Sequence, residues 1–290
     1  MNFFRIGSVF IIFQALIAHT QTWADPSMTL SATEEPSTWQ LIQSKLRAGT
    51  FTEFMTPAAF SIDSLKIPNT DGSGIAPSNV YTDAWAGYEF APNYELLYWQ
   101  RFTVNLQSNN PYPGVHALAR NPRFALRRTH VFNNPSISSI YDIYIQPGVA
   151  PEATLEGRSF EIGCRTFTNY NFPSSRLSVG AATEFTVSLS SSTSPITDRA
   201  DIYGWAMPWL EYKLSKFFST EHFVTVNYQH KQGTPWSSFD LDAYLPFIQN
   251  GIGITFSDQL WAAVLINNYL IVAPSLQNTW ASVWIMVSLL

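Results

Sequence analysis

The chain has 290 residues, of which 46% are hydrophobic, 15% aromatic and only 13% charged. That length fits one large domain or two small ones, and a net charge of −5 without a basic run argues against a nucleic-acid partner. The single cysteine, Cys164, excludes an intrachain disulfide and reads as a small apolar filler of a strand.

Residues 1–24 read as an export signal. Arg5 is the only charge before Asp25, and "IGSVFIIFQALIA" falls short of the roughly 18–20 apolar residues of a membrane anchor. Thr22-Trp23-Ala24 then puts small residues where a signal peptidase reads, so cleavage is expected after Ala24. No cysteine follows the apolar run, which excludes a lipoprotein anchor. Further along, the most apolar stretch is "LWAAVLINNYLIV" (260–272), broken by Asn267-Asn268. A spanning helix needs about 20 residues. If the rest of the chain enters a membrane, a closed barrel is the architecture left that satisfies every backbone group.

Twelve strands are predicted, near 45–56, 80–90, 94–107, 122–133, 138–146, 156–171, 176–189, 199–214, 220–231, 248–256, 260–271 and 278–289. The alternation is cleanest in "RLSVGAATEFTVSL" (176–189). There Leu177, Val179, Ala181, Thr183, Phe185, Val187 and Leu189 form a dry face, and Arg176, Ser178, Gly180 and Glu184 a wet one. Most strands in globular proteins run 3–10 residues; this one is longer. In "YELLYWQRFTVNL" Tyr94, Leu96, Tyr98, Phe102 and Val104 oppose Glu95, Leu97, Trp99, Arg101 and Thr103. In "FEIGCRTFTNYN" Glu161, Arg165 and Asn169 share a face opposite Ile162 and Cys164. The last strand is ambiguous, because Trp284/Met286 and Val283/Ile285 are both apolar.

The connections alternate long and short in chain order. Residues 57–79, 108–121 and 232–247 are long, "QPGVAPEA" and "SSSTSPIT" moderate, and Ala91-Pro92-Asn93, "NNPS", "FPSS", Lys216–Ser219 and Ser257-Asp258-Gln259 tight. Short turns at one end and longer loops at the other are the habit of outer-membrane barrels.

On strand length, alternation and loop order, residues 45–290 resemble Gram-negative outer-membrane β-barrel proteins of the porin-like channel type. The chain departs in ending "WIMVSLL" rather than on an aromatic residue. The resemblance implies an all-β fold, a single transmembrane antiparallel up-and-down barrel of about 12 strands behind the signal. Residues 25–44 become a periplasmic N-terminal segment, and the location is the outer membrane. The implied partners are outer-membrane lipid, lipopolysaccharide, the barrel-assembly machinery and small solutes, with a homo-oligomer left open; no cofactor or metal is implied. Outward aromatics such as Tyr94, Phe102, Phe124, Tyr170, Tyr212 and Tyr228 fall toward strand ends, where girdles sit. Arg128 and His130 fall on the outward parity of the fourth strand and need a bulge or a place near the rim. Pro208 lacks a ladder donor and suggests a bulge.

By parity the lumen receives Arg47, Glu53, Asp83, Glu89, Glu95, Arg101, Arg127, Asp142, Glu161, Arg165, Glu184, Glu211 and Lys213 as candidate pore-lining residues, with Arg123, Arg176 and Asp201 beside them. Glu53, Asp83, Glu89 and Glu95 are expected as neighbours, with Arg101 and Arg165 elsewhere round the wall, giving a transverse field. Trp85, Trp99, Trp205 and Trp209 point inward and narrow the interior. Such charges either pair across strands and fill the lumen or line a watery passage. The His-x-Ser-Asn-Gly pattern of outer-membrane phospholipases is missing, and no histidine has an oriented partner in sequence, so no catalytic residue is assigned. The expected function is a passive channel for ions or small hydrophilic solutes; the alternatives are a structural protein with a blocked lumen and, third, a lipid-modifying enzyme.

Overall fold

The computed structural model describes residues 38–56, 65–66, 75–76, 79–105, 117–132, 134–151, 153, 157–190, 200–231, 233–235, 239–240, 246–270 and 279–289. The expected signal, residues 1–24, and most of the connections 57–79, 108–121 and 232–247 lie outside them. Thr38–Lys45 forms a short helix, α1, with Lys45 in its last turn, where a cation suits the helix dipole. The sequence pattern did not indicate this helix, and it takes Lys45 from the first expected strand.

Leu46–Ser288 form a separate unit built of strands. Twelve long ones make the wall: β1 (Leu46–Thr56), β2 (Asn79–Ala91), β3 (Tyr94–Asn105), β4 (Arg123–Thr129), β5 (Ile137–Pro147), β6 (Arg158–Asn171), β7 (Leu177–Ser190), β8 (Ala200–Lys213), β9 (Phe218–Lys231), β10 (Phe247–Ser257), β11 (Leu260–Tyr269) and β12 (Thr279–Ser288). Each pairs antiparallel with its sequence neighbours, and β1 pairs with β12 from Gly49↔Ser288 to Thr56↔Ala281, so the sheet closes on itself. Ala117–Ala119 extends the edge of β3 beyond β4, and Phe239–Asp240 pairs with β9. This is the closed 12-strand barrel that alternation and loop order implied. Closure removes the open edges that a sheet in lipid cannot leave unpaired.

Side chains follow the period of two. In β7 Ser178, Ala182, Glu184, Thr186 and Ser188 are buried on the lumenal side, whereas Ala181, Thr183, Phe185 and Leu189 are exposed outside. Leu96, Phe102, Leu126, Ile143, Ile145, Ile162, Leu210, Ile252, Val264 and Ile266 are likewise exposed on the outer face. A soluble protein does not present so continuous an apolar surface; a lipid-facing wall does. For the last strand the structure resolves the parity: Trp280, Ser282 and Trp284 turn inward and Ile285 outward.

Several lumenal glycines lie directly opposite a large side chain. Gly49 faces Trp85, Gly163 faces Tyr144 and Gly180 faces Trp209. A Cβ at Gly180 would collide with the Trp209 ring and, at 2.6 Å, with the Thr168 carbonyl oxygen. The glycines thus let aromatic rings lie flat on the wall, a device that also pins register.

The tight turns share one chemistry. Asn93, His130 and Ser174 adopt φ of 66°, 50° and 60°, which turns the chain within a few residues. Asn134 Oδ1 accepts the Ser136 amide at 2.8 Å, Ser175 Oγ the Leu177 amide, Ser215 Oγ the Phe217 and Phe218 amides, and Ser257 Oγ the Gln259 amide. Short polar side chains therefore stand in for the missing ladder bonds. Exposed aromatics gather here: Phe90 and Tyr94, Phe132, Phe172, Phe217 and Phe218, and Phe256. Of the aromatics named from sequence, Tyr94, Phe102, Phe124 and Tyr212 are exposed as well, while Tyr228 covers Gly204 on the outer wall.

The fourth strand ends at Thr129 rather than at 133, so His130 lies beyond it, and Arg128 takes the place near the rim that its outward parity required, opposite Tyr94 with its guanidinium 5.7 Å from that ring. Pro208 produces no bulge. The β8–β9 register is the same on both sides of it (Ala206↔Val226, Trp209↔Phe223), and the ladder simply lacks pairs there because Pro has no N–H. Register shifts occur instead near strand ends, at Glu89/Ala91, Leu189/Ser190, Ala200/Ile202 and Thr255/Ser257.

Candidate functional site: the charged half of the lumen

The thirteen candidate residues all stand on lumenal parity, on β1 to β8, and the register brings most of them together. One row of directly opposed residues crosses five strands: Glu95 on β3, Arg127 on β4, Asp142 on β5, Arg165 on β6 and Glu184 on β7. Its signs alternate at every step. Asp142, wholly buried, is the hub: Arg127 donates from Nε and Nη2 at 2.8 and 3.1 Å, and Arg165 Nη2 donates at 2.9 Å. Glu95 lies 3.9 Å from Arg127 at the end of the row.

Other contacts skip strands and reach across the lumen. Arg123 on β4 donates to Glu184 on β7 at 2.9 Å, passing over β5 and β6, and Tyr144 Oη donates to the same carboxylate at 2.8 Å. The Arg123 guanidinium stacks 3.9 Å above the Tyr144 ring, and Arg165 stacks 3.8 Å above Trp99 of β3. Glu161 accepts from Arg158 at 2.8 Å, from Ser188 at 3.0 Å and from Gln146. A buried charge persists only when paired and hydrogen-bonded; here Arg123, Arg127 and Arg165 also gain an aromatic face.

Toward β1 the wall is wetter. Arg101 and Asp83 are opposed on β3 and β2 and join by two bonds of 2.7 Å, yet 54% of the Arg101 side chain stays accessible to solvent. Arg47 bonds Glu89 at 3.3 Å with both about a third exposed. Glu53 accepts the Trp284 indole N–H at 2.8 Å, and Glu211 accepts the Ser178 hydroxyl at 3.0 Å. Lys213 is exposed near the β8–β9 turn, as is Arg176 at the start of β7. The expected segregation of acids from bases is therefore overturned: Arg101 is the direct partner of Asp83, and Glu89 and Glu95 each have an arginine. Cross-strand pairing, which parity counting ignores, decides this.

The other half of the interior sets an apolar cluster among buried polar side chains, Ser219, Glu221, Asn227, Gln249, Asn267 and Ser282. Phe223, Ala263, Leu265 and Trp284 form a buried cluster with Phe51, Met207, Trp209 and Trp261 around it, so side chains from β8, β9, β11, β12 and β1 meet. The Trp284 ring lies 4.9 Å from Phe223 and 5.6 Å from Phe51. Trp85, Trp99, Trp205 and Trp209 occupy the lumenal positions expected of them.

Parity counting missed Glu221, buried on β9 directly opposite Glu211, although it falls on the same face as Phe223 and Asn227. It also passed over Tyr144, two residues from Asp142. Two histidines gain partners that sequence did not reveal. His222 Nδ1 meets Asn250 Oδ1 at 2.8 Å on the outer face. His230 Nδ1 meets Asp201 at 2.6 Å, and its Nε2 lies 3.3 Å from both Thr234 Oγ1 and the Pro235 carbonyl. Thr234 commits its hydroxyl to the Lys231 carbonyl at 2.7 Å, so the arrangement clamps β8 to the start of the next loop rather than activating a nucleophile. Among the described residues no three His, Cys, Asp or Glu side chains converge as metal ligands.

No family model matches the chain, and no curated protein matches it in sequence. Solved structures do match. An outer membrane channel from Pseudomonas putida F1 aligns with a TM-score of 0.50 at 7% identity, covering 84% of this chain and 95% of that one. The KdgM porin in complex with disordered oligogalacturonate aligns at 0.45 and 9%, over 83% and 98%. The NanC porin aligns at 0.45 and 5%, also over 83% and 98%. At such identity the first likeness speaks to fold: this chain has the fold of an outer-membrane channel barrel.

Proposed function

We propose that the protein is a porin-like passive channel for ions or small hydrophilic solutes in the outer membrane. The observation that carries this reading is the Arg101–Asp83 pair, a fully made ion pair inside the barrel with 54% of the Arg101 side chain still accessible. Water reaching this lumenal side chain supports an aqueous path beside β2 and β3. Arg47, Glu53, Asp83, Glu89, Glu95 and Arg101 are its proposed lining; Arg127, Asp142, Glu161, Arg165 and Glu184 brace the wall from buried positions, and Glu211 and Lys213 stand farther round it on β8. In the same reading the mature chain begins at Asp25, residues 25–44 precede the barrel on the periplasmic side, and the assembly machinery inserts it. Catalysis has no part in it.

Planar-bilayer recording of the refolded, heat-modifiable barrel tests this. Discrete conductance steps support the channel. A folded barrel that never conducts favours the second reading, a structural protein with a blocked lumen, for which the strand-skipping contacts and the Phe223–Leu265–Trp284 cluster speak.

A further inference from the structure

Resting on the reading of this chain as an outer-membrane barrel, we propose a fixed binding site for an anionic phospholipid headgroup. It lies at the turn rim between β7 and β9 and is formed by Arg176 and Lys216, beyond the strand end at the lumenal residue Lys213. Arg176 precedes β7; its carbonyl accepts the Lys213 amide at 2.8 Å, and its Nη1 donates to the Leu214 carbonyl at 3.0 Å. The guanidinium is thereby tied across to the β8–β9 turn that carries Lys216, and among the described residues its other N–H groups have no acceptor. Lys216 Nζ stands 4.7 Å from the Phe217 ring centroid, which holds the ammonium at the rim. Among the described residues neither Arg176 nor Lys216 has a carboxylate within ion-pair distance, whereas most lumenal arginines do.

The apolar surroundings fit a lipid rather than a free ion. Phe172, Tyr212, Leu214, Phe217 and Phe218 are all exposed around these cations, continuous with the outer apolar face of the wall. The turn itself is rigid. Ser215 Oγ accepts two amides, and the Leu214 and Ser215 amides both donate to the Phe218 carbonyl. Aromatic rings at interface depth with cations just beyond them complement acyl chains below a phosphate. The other tight turns offer rings with less charge: the β2–β3 turn has Arg128 over Tyr94 but also Glu89 and Glu95 beside Phe90, and Phe256 lies beside Asp258. The site is therefore a sector of the rim and not a general girdle. Tight turns belong to the periplasmic end, so the ligand is a phospholipid of that leaflet, phosphatidylglycerol being the probe.

Native mass spectrometry of the full refolded barrel in detergent, titrated with phosphatidylglycerol, tests the site. Wild type is expected to retain phosphatidylglycerol in preference to phosphatidylethanolamine. The Arg176→Gln/Lys216→Gln variant is expected to bind roughly 30-fold more weakly at low salt, from two juxtamembrane cations. Lys231→Gln, at the opposite end of β9, is the matched control and should bind as wild type. Heat-modifiable mobility confirms that each variant is folded. Undiminished binding by the double variant, equal loss in the control, stronger retention of lipid A, or displacement by millimolar inorganic phosphate would each overturn the proposal. Conductance is read separately, so a non-conducting barrel that still retains the lipid refutes the channel and leaves the lipid site standing.

Discussion

Asp142→Asn is the sharpest test of how the charged wall is held. Asp142 is completely buried, accepts three bonds from Arg127 and Arg165, and sits midway along the alternating row. The amide keeps the volume but removes the charge and turns an NH₂ toward one guanidinium. Two arginines, each about nine-tenths buried, then lose their shared counter-ion. Removing one member of a buried pair typically costs about 3–5 kcal/mol. Glu89→Gln is the matched control, because its pair with Arg47 is about a third exposed on both sides and such a pair contributes about 1 kcal/mol or less. Urea unfolding of both variants in micelles, followed by tryptophan emission and by heat-modifiable mobility, should separate them by at least about 2 kcal/mol. Equal stabilities would refute the reasoning, showing that lumenal water or Glu95 and Glu184 compensate for the missing carboxylate.

Leu96→Glu, on the lipid face, should fail to assemble into a heat-modifiable band in membranes, while Glu95→Gln beside it assembles normally; the opposite result would mean that the two faces are swapped. Gly180→Val forces a side chain into the Trp209 ring and the Thr168 carbonyl and should lower the urea midpoint by about 1–3 kcal/mol of stability or block folding; a wild-type midpoint would show that Trp209 can leave the wall. In the bilayer, Arg101→Gln should shift the reversal potential toward cations and Asp83→Asn toward anions. The double variant should return near wild type, and failure of that return would separate the two residues functionally.

Strand existence was legible because lipid outside and polar groups inside impose a strict period of two, as β7 and β3 display. Turn order was legible because Pro, Asn and Ser punctuate it. What pairing does was not. Parity places Asp83 and Arg101 on one face, but only register makes them partners, and register depends on turn geometry that a strand list does not contain. The short fourth strand was overextended because Val131 and Phe132 carry apolar, β-prone side chains past Thr129, while His130 with φ of 50° ends the ladder. Helix α1 carries no long amphipathic pattern to announce it. Glu221 shares its face of β9 with Phe223 and Asn227, so the same period of two that places Glu211 in the lumen places Glu221 there too.

Self-neutralisation of the wall bears on selectivity. Charges paired at 2.7–3.1 Å act on a passing ion as short dipoles, whose field fades faster than that of a lone charge. At about 0.15 M salt, screening over roughly 8 Å removes most of the remainder. On β9 to β12 buried polar groups surround the Phe223–Leu265–Trp284 cluster and bond one another, Asn267 to Ser282 and Ser219 to Glu221. A hydrated solute is therefore best accommodated along the seam of β2 and β3, where Arg101 is paired but still wet. On the proposed function, that seam sorts mainly by size. Charge preference enters through whichever member of the Arg101–Asp83 pair is lost, which is why the two single substitutions must act in opposite directions.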